Sequence, residues 1–379
     1  MKILIIRNYP SYMDVEHNTY NIQEIGLAKA LVRKGHTCDI VFWTNNKEKT
    51  VDYTFEDKHI KVYYKKGINI LKNAVYININ KLVKQYDVIQ LCEYNQLQSW
   101  LMAKKYPDKT VIYHGPYYSD FNNRYNSMCS FVDKFMLKAY RKNNTPFIVK
   151  SKLAQKFLQD KGINNITVAG VGVDLGAFEV KENEVVPKEV AKIDEINGGI
   201  KLLYIGRLEK RRNVTFLVDV LKALSDKGIK ISLVIVGDGD SEYKDMLFEH
   251  IEQSGVKDRI CYIEKLEQKY LSLVYNRCHI FLLPTYYEIF GMVLLEAMYF
   301  GKLVITTKNG GSDMLISNGK DGIVVDGFDV NKWISAIVFN YGEEEICKNA
   351  REKIVNNFTW DAIADKFIDV YKRKVKWKF

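Results

Sequence analysis

The sequence predicts an α/β protein in which two similar halves each hold a parallel sheet covered by helices. Short β-rich runs alternate with segments of helical periodicity along the whole chain, which is typical of parallel sheets with crossover helices. A length of 379 residues suits two domains, and a hydrophobic share of 47% is enough for a core in each. The connection is predicted at or just before residues 179–199, which lack strand alternation.

The first half contains seven predicted strands, with predicted helices between several of them. It opens with an apolar run, residues 1–7, that is too short for the apolar region of a signal peptide and predicts a buried strand. The predicted strands are residues 3–7, 38–44, 60–64, 88–93, 110–114, 147–150 and 166–169. The predicted helices are residues 18–34, 71–84 and 96–105.

The second half repeats this alternation. Its predicted strands are residues 202–206, 232–237, 260–263, 280–283, 304–306 and 323–325. Its predicted helices include residues 214–227, 241–253 and 266–277. Open α/β sheets bind small molecules at the carboxyl ends of their strands, so two such halves predict a binding cleft between them.

Composition limits the partners and the compartment. The formal net charge of +10 predicts attraction to an anion, which is nucleic acid, acidic lipid or a phosphorylated substrate. Nucleic acid ranks last, because no known nucleic-acid-binding motif accompanies the charge. No apolar run approaches the roughly 18 residues of a membrane span, and the six cysteines lack metal-ligand spacing. We therefore expect a cytoplasmic protein with reduced thiols.

Residues 284–298 carry the strongest indication of function. An apolar strand leads through a short loop into a helix start, so main-chain N–H groups without helical partners gather at a strand end. These groups and the positive helix end favour phosphate. Glu288 in the loop can accept hydrogen bonds from a sugar hydroxyl, and Glu296 in the helix can accept them from a ribose diol. An ordinary exposed glutamate and a helix-capping glutamate are the alternatives.

Basic and glycine-rich segments follow three other strands of the second half. Residues 206–212 hold three arginines and a lysine, which can neutralise a diphosphate leaving group or simply form a solvated loop. Residues 237–239 contain two glycines that permit a tight turn near a ligand. Residues 309–312 form either a second anion-binding turn or a flexible connector.

Together these segments resemble the retaining glycosyltransferases of the GT-B fold, specifically glycosyltransferase family 4, also called glycosyl transferases group 1. The resemblance covers nearly the whole chain and is strongest over residues 201–322. It implies two Rossmann-like domains facing a central cleft, with residues 1–175 on the acceptor side and residues 176–358 binding the donor. A C-terminal helix, residues 359–379, is expected to pack back on the first domain.

The implied activity is transfer of a hexose, with retention of configuration, from a nucleoside diphosphate sugar such as a UDP-sugar. The implied acceptor is a glycan or a lipid-linked glycan, as in bacterial surface polysaccharide synthesis. No metal and no cofactor are expected, because cations surround the diphosphate, no Asp-x-Asp pair is expected at a strand end beside them, and the nucleotide sugar is itself a co-substrate.

The resemblance also implies roles for individual residues. Arg207 matches an arginine that directly follows the glycine, whereas Arg212 stands where the family has a lysine. His114 ends a strand and matches a histidine that contacts the donor sugar, although a lone strand-end histidine is more often structural. The implied catalytic residues are Glu288, His114 and Arg207. The implied donor-binding residues are Arg207, Arg212, Gly237, Leu266, Glu288, Ile289, Phe290, Gly291 and Glu296.

One departure from the family concerns the first loop. The family's first strand leads into a Gly-Gly loop, whereas here no glycine occurs before Gly26. Either tyrosines of residues 8–14 build the acceptor wall, or this half has lost part of its catalytic role. Two rival functions therefore stay open. One is a catalytically idle, nucleotide-sugar-binding partner of another transferase, and the other is a sugar-nucleotide epimerase on the same fold.

A basic helix is predicted at residues 131–142. Lys134, Lys138, Arg141 and Lys142 share one stripe, and aromatic and aliphatic residues fill the remainder. Such a helix can rest on an anionic membrane surface, and an ordinary solvated face is the alternative. Peripheral association with the inner face of the cell membrane would suit a lipid-linked acceptor.

Overall fold

The computed structural model describes residues 1–16, 22–180, 184–196 and 199–376, and it confirms the α/β class. The chain forms two compact units, Met1–Gly172 with Thr359–Phe379, and Val173–Phe358. The first unit ends at Gly172, whereas the sequence predicted the boundary at residue 175. In the described part of the chain, no helix combines the length and apolarity that a bilayer crossing requires.

The first unit is built on an eight-stranded sheet and a separate hairpin. Its strands are β1 (Lys2–Ile6), β2 (Thr37–Thr44), β3 (Lys49–Phe55), β4 (Lys58–Lys66), β5 (Ile68–Ile70), β6 (Asn73–Val75), β7 (Val88–Cys92), β8 (Thr110–His114), β9 (Phe147–Val149) and β10 (Ile166–Val168). The sheet order is β10-β9-β8-β7-β1-β2-β4-β3, and only β3 is antiparallel to its neighbour. The helices are α1 (Gln23–Arg33), α2 (Asn80–Val83), α3 (Leu97–Lys105), α4 (Asn123–Lys142) and α5 (Lys152–Gln159).

The helix predicted at residues 71–84 is wrong. Leu71 and Lys72 have φ angles of 50° and 64°, which turn the chain between β5 and β6 and leave only the short α2 as a helix. The Lys72 N–H donates to the Asn69 side chain at 3.2 Å, so a local turn replaces a helical hydrogen bond. The helix predicted at residues 18–34 begins at Gln23, and residues 17–21 lie outside the described part.

The second unit contains all six strands that the sequence predicts. They are β11 (Ile200–Ile205), β12 (Ile231–Val236), β13 (Ile260–Ile263), β14 (Ile280–Leu283), β15 (Leu303–Thr307) and β16 (Ile323–Val325). The helices are α6 (Lys188–Glu195), α7 (Thr215–Asp226), α8 (Ser241–Ser254), α9 (Leu271–Arg277), α10 (Met292–Tyr299), α11 (Gly310–Leu315), α12 (Val330–Asn340) and α13 (Glu344–Asn357). The parallel sheet has the order β13-β12-β11-β14-β15-β16. This is the Rossmann order, and its direction reverses between β11 and β14, where open α/β sheets bind their ligands.

The last helix, α14 (Trp360–Lys376), belongs to the first unit. It packs on α1, and Arg33 pairs with Asp361 at 2.9 Å. A Cβ atom at Gly26 of α1 would lie 2.2 Å from the indole Nε1 of the buried Trp360. Gly26 is therefore required by the packing of α14 against α1.

Candidate functional site

The carboxyl edge of the six-stranded sheet gathers the predicted donor-binding residues. Gly206 follows β11, Gly237 follows β12, and Glu288 lies in the loop that joins β14 to α10. Leu266 is half-buried in the loop that follows β13. Because β11 and β14 are neighbours at the reversal point, the loops of Gly206 and Glu288 lie where this fold places ligands.

Glu288 is buried and engaged by arginines, so it is not a free loop carboxylate. Only 8% of the residue is exposed. Its Oε2 lies 2.5 Å from Nη1 of Arg212 and 3.4 Å from Nη1 of Arg211. Its Oε1 accepts the main-chain N–H of Phe290 at 3.3 Å. The two predicted residues Glu288 and Arg212 therefore act as one charged unit.

The charge state of this pair follows from two opposing effects. Burial alone would raise the pKa of Glu288, but the charges of Arg212 and Arg211 outweigh it and hold the pKa below its ordinary value. Burial likewise would lower the pKa of Arg212, but Glu288, together with Tyr204 and Glu209, outweighs burial and raises the pKa. The pair is therefore ionised at neutral pH. Among the ion pairs of the described residues, loss of Glu288 would leave the buried Arg212 with only the carboxylate of Glu209, 4.0 Å from its Nε, whereas loss of Arg212 would leave Glu288 with Arg211.

Arg211 is a site residue that sequence reasoning missed. Its Nη1 donates to the carbonyl of Tyr287 at 2.7 Å, and its Nη2 lies 2.7 Å from Oε1 of Glu209. Its own carbonyl accepts from Tyr286 N–H at 2.9 Å and from the Thr285 hydroxyl at 3.1 Å. Arg211 thus ties the loop after β11 to the loop after β14. The basic residues within 206–212 indicated this region in the sequence. They do not show which of the adjacent cations faces the neighbouring loop.

Arg207 differs from Arg212 because its side chain is 67% exposed. Among the described residues, Arg207 forms an ion pair only with the exposed carboxylate of Asp240, and 3.4 Å separate its Nη2 from Oδ1 of Asp240. Exposed pairs of this kind contribute roughly 0–1 kcal/mol. The Arg207 guanidinium can therefore exchange Asp240 for a more highly charged anion such as a diphosphate.

The two glycines after β12 are required by a neighbouring loop. A Cβ atom at Gly237 would lie 2.0 Å from the carbonyl oxygen of Gly206, and one at Gly239 would lie 1.9 Å from that of Leu208. Leu208 and Gly239 also form a β-bridge. The predicted close approach thus occurs between main chains, and it holds the Arg207 loop in place.

Asp238 and Asp240 form an Asp-x-Asp sequence after the end of β12, so the expectation that the second half lacks such a pair at a strand end was wrong. Asp238 pairs with Lys244 at 2.7 Å, and Asp240 faces Arg207. Neighbouring cations thus balance both carboxylates. Within the described ranges, no group of three or more histidine, cysteine, aspartate or glutamate side chains could hold a metal ion.

Glu296 lies inside the second unit. It is 0% exposed, and its Oε2 accepts the hydroxyl of Tyr275 from α9 at 3.1 Å. A ribose could reach this carboxylate only after the side chain turns outward. In the structure, Glu296 links α9 to α10.

The turn at residues 309–312 fixes the loop of Glu288. The Asn309 side chain accepts the N–H groups of Gly311 and Ser312 at 2.9 and 3.0 Å, so these donors are already used. This finding corrects the hypothesis of an anion-binding turn. Cβ atoms at Gly310 and Gly311 would lie 2.2 Å from the Ile289 carbonyl oxygen and 1.9 Å from that of Phe290. The glycines therefore let α11 pack directly on the main chain of residues 288–290.

Gly291 shapes the start of α10. Its φ angle of 75° is left-handed, which glycine adopts without steric cost. The chain thus turns sharply from Phe290 into the helix. The N–H groups of Leu294 and Leu295 donate to the Gly291 carbonyl at 2.9 and 3.3 Å, which closes the first turn of the helix.

His114 forms the centre of a polar cluster in the first unit. The ring is fully buried, stacks on Phe157 and meets Tyr94 edge-on, with centroid distances of 5.3 and 5.4 Å. Its Nδ1 lies 2.5 Å from Oε2 of Glu93, and its Nε2 has no hydrogen-bonding partner among the described residues. The Glu93 carboxylate also accepts the N–H of Gly115 at 3.2 Å.

Glu93 is a further residue that sequence reasoning did not select. It has a φ angle of 57°, which is uncommon for a non-glycine residue and typical of strained functional positions. A signal existed in the sequence, because Glu93 directly follows β7 and His114 is the last residue of the neighbouring strand β8. Residues that follow paired parallel strands in register lie side by side.

The first loop of this unit is built around Asn8. Its side-chain amide donates to the Cys92 carbonyl and the Ser99 hydroxyl, both at 2.9 Å, and it accepts the Cys92 N–H at 3.2 Å. Asn8 thus locks the end of β1 to the end of β7. Tyr12 is 44% exposed and stacks on Tyr64 with a centroid distance of 5.2 Å.

Comparison with known proteins identifies similar sequences. The family described as Glycosyl transferases group 1 matches residues 186–357. An uncharacterized glycosyltransferase of Methanocaldococcus jannaschii is 29% identical over 175 residues, which are 45% of this chain and 44% of the relative. The chain spans about half the length of the curated relatives it matches.

Comparison with solved structures identifies the fold. Sucrose-phosphate synthase from Thermosynechococcus elongatus has a TM-score of 0.73 at 20% identity, covering 98% of this chain and 99% of that one. Anabaena Alr3699/HepE in complex with UDP-glucose has a TM-score of 0.69 at 16% identity, covering 98% and 100%. These similarities confirm the GT-B fold, which consists of two Rossmann-like domains.

Proposed function

We propose that this chain, whose residues 186–357 match the family described as Glycosyl transferases group 1, transfers a hexose from a nucleoside diphosphate sugar. The acceptor is a glycan or a lipid-linked glycan of the bacterial cell surface. The UDP-glucose in the similar HepE structure supports a UDP-hexose as the donor.

The arginine arrangement at the reversal point of the second sheet carries this proposal. Arg207 is an exposed cation, whereas Arg212 and Arg211 are held by Glu288 a few residues further along the same loop. An exposed cation beside a prearranged charged loop suits a ligand that carries several negative charges. A sugar diphosphate has that property.

The chemistry assigned to these residues is charge stabilisation. The bond between the anomeric carbon and the diphosphate oxygen breaks, and Arg207 stabilises the negative charge that develops on the diphosphate. The acceptor oxygen forms the new bond to the anomeric carbon, and its proton passes to the departing phosphate. Attack from the side of the leaving group retains the anomeric configuration.

Glu288 has a positioning role in this proposal. Its carboxylate orients Arg212 and Arg211 and holds the Phe290 N–H, so it fixes the loop that leads into α10. In the first unit, Glu93 lies beside Nδ1 of His114, and the buried Nε2 has no hydrogen-bonding partner among the described residues, so Nε2 would orient a substrate hydroxyl once the ring becomes accessible.

The decisive experiment measures binding and turnover with a panel of nucleoside diphosphate sugars. We expect thermal stabilisation by one donor, slow release of its nucleoside diphosphate without acceptor, and faster release with a glycan acceptor. NMR of the product is expected to show the anomeric configuration of the donor. Arg207→Ala serves as the inactive variant and Arg351→Ala, an exposed arginine of α13, as its control.

The other outcomes identify the rival functions. Conversion of the donor to a second nucleotide sugar without acceptor would identify an epimerase. Binding of a donor without turnover under any condition would identify an idle binding partner.

We also propose that the transfer is independent of metal ions, so EDTA is expected to leave the rate unchanged. A rate that depends on added Mg²⁺ or Mn²⁺ would overturn the proposal of metal independence.

A further inference from the structure

Helix α4 exposes large apolar side chains that glycosyl transfer does not use. Phe131 is 67% exposed, Phe135 is 62% exposed and Met128 is 42% exposed. The two phenylalanine rings lie 5.6 Å apart, so they form one apolar ridge. With the exposed cations around this ridge they form a surface that we call the α4 face, consisting of Arg124, Met128, Phe131, Lys134, Phe135, Lys138 and Lys142.

The opposite side of α4 is anchored in the first unit. Cys129, Leu137 and Tyr140 are buried. The Tyr140 hydroxyl donates to the Tyr94 carbonyl at 2.7 Å, and the Tyr94 hydroxyl donates to Asp133 at 2.8 Å. Since each helical residue turns about 100°, these anchors and the apolar ridge lie on opposite sides of the helix. The helix therefore cannot rotate to bury the ridge without losing its core contacts.

The α4 face has a single sign of charge. Asp133 is the one acidic residue in the sequence of α4, and it lies on the anchored side, where it pairs with Lys161. The exposed phenylalanine side chains lie among lysines, and no acidic residue of the helix lies beside them. This pattern is typical of an amphipathic helix that binds at a membrane surface. The cations attract anionic headgroups, and the ridge can enter the boundary of the acyl chains.

We propose that the α4 face docks this protein on an anionic lipid bilayer. A second copy of the chain is the less favourable occupant, because a symmetric contact would bring the cations of one α4 against those of the other. A partner protein would need a complementary acidic groove. The bilayer provides anionic headgroups for the cations and an acyl-chain boundary for the apolar ridge.

The position of α4 relates this surface to the chemistry. The helix connects the carboxyl end of β8 to the start of β9, so the half that holds Met128 and Phe131 is nearer the edge where β8 ends. His114 and Glu93 lie at that edge. If the proposed function holds, a docked bilayer presents a lipid-linked acceptor to this edge, and this step alone rests on the proposed function.

The test is co-sedimentation of the full chain with vesicles of phosphatidylcholine, with and without phosphatidylglycerol. We expect binding only to vesicles with the anionic lipid. The double variant Phe131→Ser/Phe135→Ser is expected to lower the partition coefficient by about tenfold or more. The triple variant Lys134→Gln/Lys138→Gln/Lys142→Gln is expected to lower it by about fivefold for each removed cation.

Matched controls separate the α4 face from general effects. Phe339→Ser on α12 removes another phenylalanine, which is 78% exposed, and Lys348→Gln on α13 removes another exposed cation. Both are expected to leave vesicle binding unchanged. All variants are expected to keep the thermal stability and the donor hydrolysis of the original chain, so a failure of docking is distinguishable from a failure of catalysis.

Three results would overturn the proposal. The first is equal binding to neutral and anionic vesicles, and the second is binding that survives both α4 variants. The third is concentration-dependent dimerisation in sedimentation velocity that the phenylalanine variant abolishes, because the ridge would then contact a second copy.

Discussion

The Arg212 guanidinium and the Glu288 carboxylate form a buried ion pair, with 2.5 Å between Nη1 and Oε2. The pair joins the loop after β11 to the loop after β14, at the point where the order of the second sheet reverses. Arg211 reinforces this connection through the Tyr287 carbonyl. A change at any of these residues therefore affects both the charge and the shape of the donor-binding loops.

Replacing Glu288 with alanine is expected to destabilise the fold. The change leaves the buried Arg212 with only the more distant carboxylate of Glu209 as an ion-pair partner among the described residues, and breaking a buried pair typically costs about 3–5 kcal/mol. Urea unfolding measures the loss. Glu345→Ala, at an exposed position of α13, is the control and is expected to change the free energy of unfolding by less than about 0.5 kcal/mol. Equal stability of the two variants would contradict the ion-pair assignment.

The same pair predicts a dependence of stability on pH. Since the arginines lower the pKa of Glu288 below its ordinary value of 4.5, the folded state favours the carboxylate. This contribution is fully present above pH 4.5 and is lost as the pH falls through the lowered pKa. Glu288→Gln removes it, so the difference in unfolding free energy between the original chain and the variant is expected to shrink on acidification. Urea unfolding from about pH 7 to about pH 3 measures this difference, and a constant difference would refute the prediction.

Arg207→Ala is expected to weaken nucleotide binding without loss of stability. The side chain is 67% exposed and supports no buried group, whereas a charged hydrogen bond to a diphosphate contributes about 1.5–3 kcal/mol. Calorimetry with UDP is expected to show a dissociation constant that is higher by about tenfold or more. Asp240→Asn, which removes the competing carboxylate, is expected to tighten binding. Unchanged affinity in both variants would show that Arg207 does not contact the diphosphate.

Glu93→Gln is expected to lower kcat more than it raises KM for the donor. The substitution keeps the shape of the side chain but removes the charge that lies 2.5 Å from Nδ1 of His114. A loss in kcat of about tenfold or more is expected. Glu56→Gln is the matched control, because Glu56 is an exposed glutamate of the same unit with a φ angle of 49°. A change in KM alone would assign Glu93 to binding instead.

Gly311→Ala is expected to disturb the loop of Glu288. Its Cβ atom would lie 1.9 Å from the Phe290 carbonyl oxygen, so main chain would have to move, at a typical cost of about 1–3 kcal/mol. Gly176→Ala is the control, because the nearest atom there lies 3.7 Å away. Thermal unfolding and donor binding are the measurements. A Gly311 variant as stable as the control would show that α11 does not pack on residues 288–290.

Much of the fold was predictable because its signals are local. All six strands of the second sheet are buried apolar runs that any reading of hydrophobic periodicity identifies. The helix predicted at residues 71–84 is wrong because a turn at Leu71 and Lys72, supported by Asn69, competes with apolar spacing. Strand β3 was missed because it pairs at the sheet edge and is largely polar.

The site was predictable in position but not in its internal contacts. Strand ends identify the loops of Arg207 and Glu288, since ligands of this fold bind at the carboxyl edge. The sequence also pointed to Glu296 as a ribose ligand, whereas the structure turns its carboxylate toward Tyr275.

The sequence by itself determined the six strands of the second sheet, the two halves and the motifs at the strand ends, because hydrophobic periodicity and turn residues act over a few positions. Only the tertiary structure decided that Glu288 holds Arg212, that Arg211 reaches Tyr287 and that Glu93 faces His114. Arg211 and Tyr287 are 76 residues apart in the chain. Their contact exists because β11 and β14 pair in the sheet, and side-chain partners across paired strands are set by that packing.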